Sequence, residues 1–402
     1  MPSLAFPHAG PLAFIRPQPL AGCYSPHPAR GALLSSRFRG ASSTSHQPLQ
    51  STSFLLRQPK QNQQQTNRRS LLGRAFASST GRPTADAQHL RRELEDVYRT
   101  CKIWRWRGHA INFSQSGTAE GPPLLLVHGF GASVGHWRRN IKVLAESHTV
   151  FAIDLLGFGA SDKPAGFAYE MEIWAQGAVV LFHQLILDFL EEVVQKPTVL
   201  IGNSVGSLAC LIAAASESQQ GLVRGLVLLN CAGGMNNKAI VDDWRIKLLL
   251  PFLLLFDFLL RQRRIASFLF ERVKSRETLK GILLSVYGNK DSVDDELVEI
   301  INGPAEDEGA LDAFVSIVTG PPGPNPTSLM QNISLPVLIL WGDRDPFTPL
   351  DGPVGRYFAS LPSRLPNVNL FVLEGVGHCP HDDRPDLVHE KLLPWLDALP
   401  ET

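Results

Sequence analysis

The chain has 402 residues, 44% of them hydrophobic, enough to bury the core of one large α/β domain with insertions. Basic and acidic side chains number 38 each, but the first 85 residues hold ten Lys/Arg and no acid, leaving 28 basic against 38 acidic residues in the remainder, a net charge of −10. A body that acidic repels phosphate backbones and argues against nucleic acid as a partner, and five cysteines without CxxC or paired spacing read as reduced thiols of a non-secretory compartment.

Residues 1–84 are rich in Ser, Gln, Arg and Pro and lack sustained periodicity. Such a stretch buries too little apolar surface to offset its ordering entropy, so it is expected to be disordered. Ser-rich, Arg-bearing and free of acid, it matches an organelle transit peptide, and its length and Ser/Pro content favour the plastid. The Arg68-Arg69 pair is too weakly supported by the interrupted apolar run after it to be a twin-arginine signal. A core domain is predicted over 85–232 and 334–402, with a helical cap over 233–333.

Cys101 to Phe113 alternates around Gly108 and predicts an antiparallel hairpin. Leu124 to Val127 is a continuous apolar run, expected of a strand buried on both faces, leading into His128-Gly129-Phe130-Gly131. Val150 to Ile153 is a second such strand, ending in Asp154-Leu-Leu-Gly-Phe-Gly-Ala-Ser161. Asp154 and Ser161 are read as loop braces, and His128 as a structural residue bonded to loop backbone. Met171 to Val194 shows apolar residues at three- and four-residue spacing and predicts one long helix, with His183 as packing or solvent-facing.

Val199 to Ser207 reads as a short buried strand that breaks at Gly202, presents Ser204 on a tight turn and enters a helix of small residues. G-x-S-x-G in that setting is a nucleophile elbow: the serine hydroxyl is exposed above a sheet, and glycines at 202 and 206 let backbone approach closely. The helix directs its N-terminal amides at the site, where they favour negative charge. A carbonyl attacked by Ser204 becomes an oxyanion, and the backbone N–H groups of Phe130 and Val205 are the predicted donors, each worth about 3 to 4 kcal/mol of transition-state stabilisation.

Gly225 to Leu229 predicts a further strand, ending at Asn230-Cys231-Ala232. Alternating strands and helices up to this point imply a parallel sheet with crossover helices. From about Gly233 to Ile333 no strand signal appears, and Leu248 to Leu260 is greasy, followed by Arg261, Arg263 and Arg264. That run is too short and interrupted to span a bilayer, so it reads as a cap over the site, an interfacial helix making peripheral membrane contact, or both. Asp291, Asp294, Asp295 and Glu296 lack the glycine-centred loop of a calcium site and predict a solvated helix start. Pro336 to Trp341 resumes the sheet and ends in Gly342-Asp343-Arg344-Asp345; Leu370 to Glu374 is the last strand, leading to Gly377-His378, and Arg384 to Leu396 a closing helix.

Ser204, Asp345 and His378 follow one another in the order expected of an α/β-hydrolase, each just past the carboxyl end of a strand, where open parallel sheets carry their sites. His378 is the predicted base, Asp345 the residue orienting it, and Asp343 a loop ligand. Cys379 is not read as a nucleophile, because adjacent residues in a loop seldom face each other. A serine at the elbow argues against dehalogenase or epoxide hydrolase chemistry, which needs aspartate there. This chemistry requires no metal and no cofactor.

The motifs His128-Gly-Phe-Gly131, Asp154 to Ser161, Gly202-Asn-Ser-Val-Gly206, Trp341-Gly-Asp-Arg-Asp345 and Gly377-His-Cys-Pro380, with the greasy cap and the leader, resemble the plastid α/β-hydrolases of the pheophytinase and chlorophyll dephytylase group, including relatives that supply phytol for tocopherol. The sequence departs from that group at Ser207, where glycine is usual, and at Asn230 to Gly234, which lacks an aromatic cluster. The resemblance implies hydrolysis of the phytyl ester of chlorophyll or a derivative, in the chloroplast stroma or peripherally on envelope or thylakoid. Independently, at about 0.8 kcal/mol per buried methylene, a cap of Leu and Phe favours a long apolar alcohol over acetate. The competing expectations are a plastid lipid esterase or acyltransferase on the same triad, and a low-turnover ligand-binding receptor.

Overall fold

A computed structural model describes residues 85–170, 179–216, 221–234, 255–321 and 323–400; the leader at 1–84 and most of the greasy run lie outside them. The described strands are β1 (Cys101–Trp106), β2 (His109–Ser116), β3 (Pro123–Val127), β4 (Thr149–Ile153), β5 (Ala168–Glu170), β6 (Val179–Leu181), β7 (Thr198–Asn203), β8 (Val223–Leu229), β9 (Val337–Gly342) and β10 (Val368–Leu373). Eight form one sheet in the order β1-β2-β4-β3-β7-β8-β9-β10, with the β1–β2 and β2–β4 pairs antiparallel and every pair from β4 to β10 parallel. The hairpin turns at Arg107 and Gly108, both at positive φ (48° and 87°), as a two-residue turn between twisted strands requires.

The uninterrupted apolar runs are explained by burial on both faces. Along β3, Leu125 and Val127 join one hydrophobic cluster while Leu124 and Leu126 join the other. Leu200 and Val199 divide likewise on β7, and Leu228 and Val227 on β8. Helices then cover each face. In chain order they are α1 (Ala85–Arg99), α2 (Phe182–Phe189), α3 (Val205–Ala215), α4 (Arg263–Lys274), α5 (Arg276–Val286), α6 (Asp295–Ala305), α7 (Ala310–Thr319), α8 (Pro353–Ser360) and α9 (Pro385–Asp397). Side chains of α2, α3 and α8 fill the first cluster, and Val97 of α1 with Val388, Leu392 and Leu396 of α9 the second.

Two elements differ from the sequence expectation. The helix predicted over Met171–Val194 begins only at Phe182: Val179–Leu181 pairs in parallel with Ala168–Glu170, residues 171–178 fall outside the description, and the last turn, Leu190–Val194, widens to π geometry. Adjacent β-branched Val179 and Val180 disfavour helix, and the apolar spacing is sustained only beyond them. Helix α1 was not anticipated, although Leu90, Leu94 and Val97 carry its period; Leu94 and Val97 are buried.

Between β8 and β9 the described chain is helical, with residues 255–260 also in a helix. The α5–α6 connection is fastened to the core by polar contacts. Arg138, fully buried, donates two hydrogen bonds of 2.8 Å to Asp294 and one of 3.2 Å to Asp382. Asp294 also caps α6 by accepting from the Leu297 N–H (2.7 Å). It is therefore a helix start as predicted, but an ion-paired one and not a solvated one. The Asp383 carboxylate accepts the Gly288 and Asn289 N–H groups, both at 2.8 Å, and the Gly377 N–H at 2.6 Å. One pair of aspartates thus ties the cap to the loop that presents His378.

Candidate active site

Strands β3, β7, β8, β9 and β10 end at the same edge of the sheet, and the chain beyond each contributes to one cleft. Ser204 follows β7 with φ 55° and ψ −118°, a conformation L-residues rarely adopt. The turn is tight because Gly202 meets the next helical turn: a Cβ there would lie 2.5 Å from Gly206 and Ser207 backbone, and one at Gly206 would strike the carbonyls of Val127 and His128. Ser207 gains a role from the same crowding. Its hydroxyl donates to the Gly202 carbonyl (2.6 Å) and accepts from the Leu229 N–H (3.1 Å), knitting elbow, helix and neighbouring strand.

The structure brings the three predicted side chains together. His378 Nε2 lies 2.8 Å from Ser204 Oγ, and His378 Nδ1 2.7 Å from Asp345 Oδ2. All three residues are buried, and the ring edge of Phe347 approaches His378 at 5.0 Å between centroids. Asp345 accepts five hydrogen bonds: from Phe347 N–H (2.7 Å) and Thr348 N–H (3.1 Å) on Oδ1, and from His378, Asn230 Nδ2 (2.8 Å) and Thr348 Oγ1 (2.5 Å) on Oδ2. Burial alone would raise its pKa, but the hydrogen bonds and charge of His378, then Thr348, outweigh this and hold it at about 2. Asp343 lies apart, its Oδ1 accepting the Gly375 and Val376 N–H groups (2.7 and 3.3 Å) in the loop before His378.

Phe130 and Val205 both line the cleft, and neither backbone N–H has an acceptor among the described residues. His128 beside them is a neutral brace. Leu155 N–H donates to its Nε2 (3.1 Å), so the proton is on Nδ1, which donates to the Gly129 carbonyl (2.7 Å), and burial lowers its pKa. Asp154 accepts from Val134 N–H, Asn112 Nδ2 and Ala160 N–H, and Ser161 Oγ donates to the Asp154 carbonyl. Cys379 is a buried thiol whose pKa burial pushes up, unsuited to nucleophilic attack.

Two asparagines escaped the sequence reading. Asn203 Nδ2 donates to the His378 carbonyl (3.0 Å), tying the nucleophile's neighbour to the base's own loop. Asn230, at φ 41° just past β8, donates to Asp345 and accepts the Gly342 N–H (2.9 Å). The available signal was position: a polar residue directly after a four-residue apolar run, at the strand end where sites gather.

The cleft opens into a cavity of about 530 Å³ between elbow and cap. Phe256, Phe270, Leu279, Leu283, Phe314 and Val318 contribute apolar wall. Asn302 also lines it, and its Oδ1 is buried without a hydrogen-bond partner, leaving one acceptor open to a ligand. Among the described residues no group of three or more His, Cys, Asp or Glu is placed to hold a metal ion.

A family model described as the alpha/beta hydrolase fold matches residues 122–385, spanning every strand end that builds the cleft. The chain belongs to the α/β-hydrolase family. This α/β-hydrolase is 26% identical over 275 residues to the uncharacterized hydrolase YugF of Bacillus subtilis, covering 68% of the chain and 89% of that protein. It is 27% identical over 325 residues to the chloroplastic pheophytinase of Arabidopsis thaliana, covering 72% of the chain and 64% of pheophytinase. Among solved structures, a bacterial membrane phospholipase A superposes with a TM-score of 0.58 at 23% identity, over 78% of this chain and 90% of that one, a likeness of fold.

Two further buried imidazoles make the α/β-hydrolase acid-sensitive. Burial lowers His136 and His183 from 6.5 to about 4. Between those values the unfolded chain binds protons that the folded chain refuses, so this contribution to stability is full above pH 6.5 and declines as pH falls toward 4. Urea unfolding across that window is expected to lose stability as pH falls, by at most roughly 1 kcal/mol per pH unit for each of these histidines, with a shallower slope in His183→Gln.

Proposed function

We propose that the protein hydrolyses carboxylic esters of long apolar alcohols through Ser204, His378 and Asp345. His378 Nε2 takes the Ser204 proton as Oγ attacks the ester carbonyl, the Phe130 and Val205 amides hold the oxyanion, and His378 then protonates the departing alcohol. Asp345, its pKa held down at about 2, keeps the Nδ1–H tautomer and stabilises the imidazolium. Water delivered to the same base hydrolyses the acyl-enzyme.

The observation that carries the substrate class is the cavity: its wall beside Ser204 is made chiefly of Phe, Leu and Val from the cap. At about 0.8 kcal/mol per buried methylene, several buried carbons of a prenyl chain add several kcal/mol, which an acetate ester forgoes. Similarity to a chloroplastic pheophytinase supports a phytyl ester of chlorophyll or a derivative as substrate and the plastid as the compartment. The open acceptor at Asn302 suits a substrate that also carries a polar group.

The test is a panel of chlorophyll, pheophytin, simple phytyl esters and acylglycerols, with released alcohols and acids identified. Phytol release is the expected result, with kcat/KM rising along a series of alcohols of increasing length. Acyl release from acylglycerols alone, or indifference to alcohol length, contradicts the assignment.

A further inference from the structure

We propose that the cap face around the cavity mouth docks onto an anionic lipid bilayer, so that the mouth opens directly into hydrocarbon. The mouth is identified by side chains that both line the cavity and remain exposed: Phe256 (45%), Phe347 (58%), Val273 and Ile282. Exposed apolar surface extends beyond it, through Leu255, Phe258 (60%) and Phe268 (71%). Of the thirteen large hydrophobic residues exposed among those described, eight fall within residues 255–286. A soluble surface does not concentrate them so without something to cover them.

Charge decides what the cover is. The same span, 255–286, carries seven Lys/Arg and three Asp/Glu. Arg263, Lys274, Arg276 and Lys280 pair with Asp312, Glu306, Glu299 and Asp295 outside it, so the cations available to a headgroup layer are chiefly Arg264 and Arg272. Helix α4 shows the arrangement. Ala266 and Phe270 face inward, while exposed Ile265 and Phe268 share the helix with exposed Arg264 and Arg272, which form no ion pair among the described residues. Apolar side chains beside unpaired arginines match an interfacial surface, with rings below the headgroups and guanidinium groups among them. A protein seated there would stop the mouth through which substrate enters; a bilayer leaves it open and presents a membrane-dissolved ester to it. No helix of the described residues is long and apolar enough to cross a membrane.

The full chain is mixed with vesicles of phosphatidylcholine, or of phosphatidylcholine with phosphatidylglycerol, and bound protein is separated by flotation. Because the leader is itself basic, the reading is the difference between wild type and cap variants carrying the same leader. Each basic residue near an anionic surface contributes about fivefold in binding, so Arg264→Glu/Arg272→Glu is expected to weaken binding to the anionic vesicles about 25-fold or more. Phe258→Ser/Phe268→Ser is expected to weaken it to both vesicle types, and a tryptophan at Phe268→Trp to be quenched by brominated lipid. Equal binding of wild type and both variants overturns the proposal. So does a concentration-dependent dimer that Phe258→Ser/Phe268→Ser breaks while vesicle binding is unchanged, because a second copy is then the cover. The proposal rests on the esterase reading only for why the mouth is there, and a soluble short-chain ester separates the two. Retained turnover of that ester with lost turnover of vesicle-dissolved ester supports docking. Loss of the soluble activity in wild type would sink the esterase and leave the vesicle result to stand alone.

Discussion

Replacing Ser204 by alanine is expected to lower ester turnover by about 10⁶-fold while leaving fold and cavity unchanged. The side chain's hydrogen bond is to His378 Nε2, so its loss removes the nucleophile without unsatisfying the sheet. Alanine bears the same Cβ at φ 55°, so the elbow's backbone strain is unaltered. What survives is binding and the oxyanion donors, which in comparable sites retain about 10³- to 10⁴-fold acceleration over water. The measurement is turnover of a chromogenic long-chain ester beside a urea unfolding curve. Activity within tenfold of wild type would place the chemistry elsewhere.

Asp345→Asn is expected to lower kcat by about 10⁴-fold, and Asp343→Asn by less than about tenfold. The difference follows from donors and acceptors. Asp345 receives five hydrogen bonds spread over both oxygens. An amide in either orientation therefore turns an NH₂ against N–H or O–H groups: those of Phe347 and Thr348 on one side, or of His378, Asn230 and Thr348 on the other. Either way the imidazole loses its anionic partner, and with the NH₂ turned toward His378 it also loses the tautomer that leaves Nε2 free. Asp343 accepts two N–H groups on one oxygen, which asparagine's carbonyl can accept in its place. The reverse order of effects would show that the neighbouring carboxylate, and not Asp345, serves the base.

Much of the architecture was legible because the buried strands announce themselves. Leu124 to Val127, Val199 to Ile201 and Leu226 to Leu229 are apolar on both faces, and a strand flanked by helices on both sides has no other way to be written. The site was legible for the same reason: a parallel sheet gathers its strand ends at one edge, so Ser204, Asp345 and His378 could be brought together from order alone. Val179–Leu181 and α1 were not, since three residues of strand and a mostly polar helix carry little periodic signal against tertiary packing. Asn203 and Asn230 were missed because their roles depend on which carbonyl or carboxylate lies across the cleft, information held by the fold and not by the neighbouring sequence. The buried ion pairs of Arg138 with Asp294 and Asp382 belong to the same class: partners 156 and 244 residues away leave no local trace.

The most direct test is covalent labelling with alkyl fluorophosphonates, followed by mass mapping of the modified residue. The expected result is one adduct, on Ser204, forming faster with a hexadecyl than with an ethyl reagent and lost in Ser204→Ala and His378→Ala alike. An adduct on another residue, or labelling of Ser204 indifferent both to the imidazole of His378 and to the length of the alkyl chain, would contradict it.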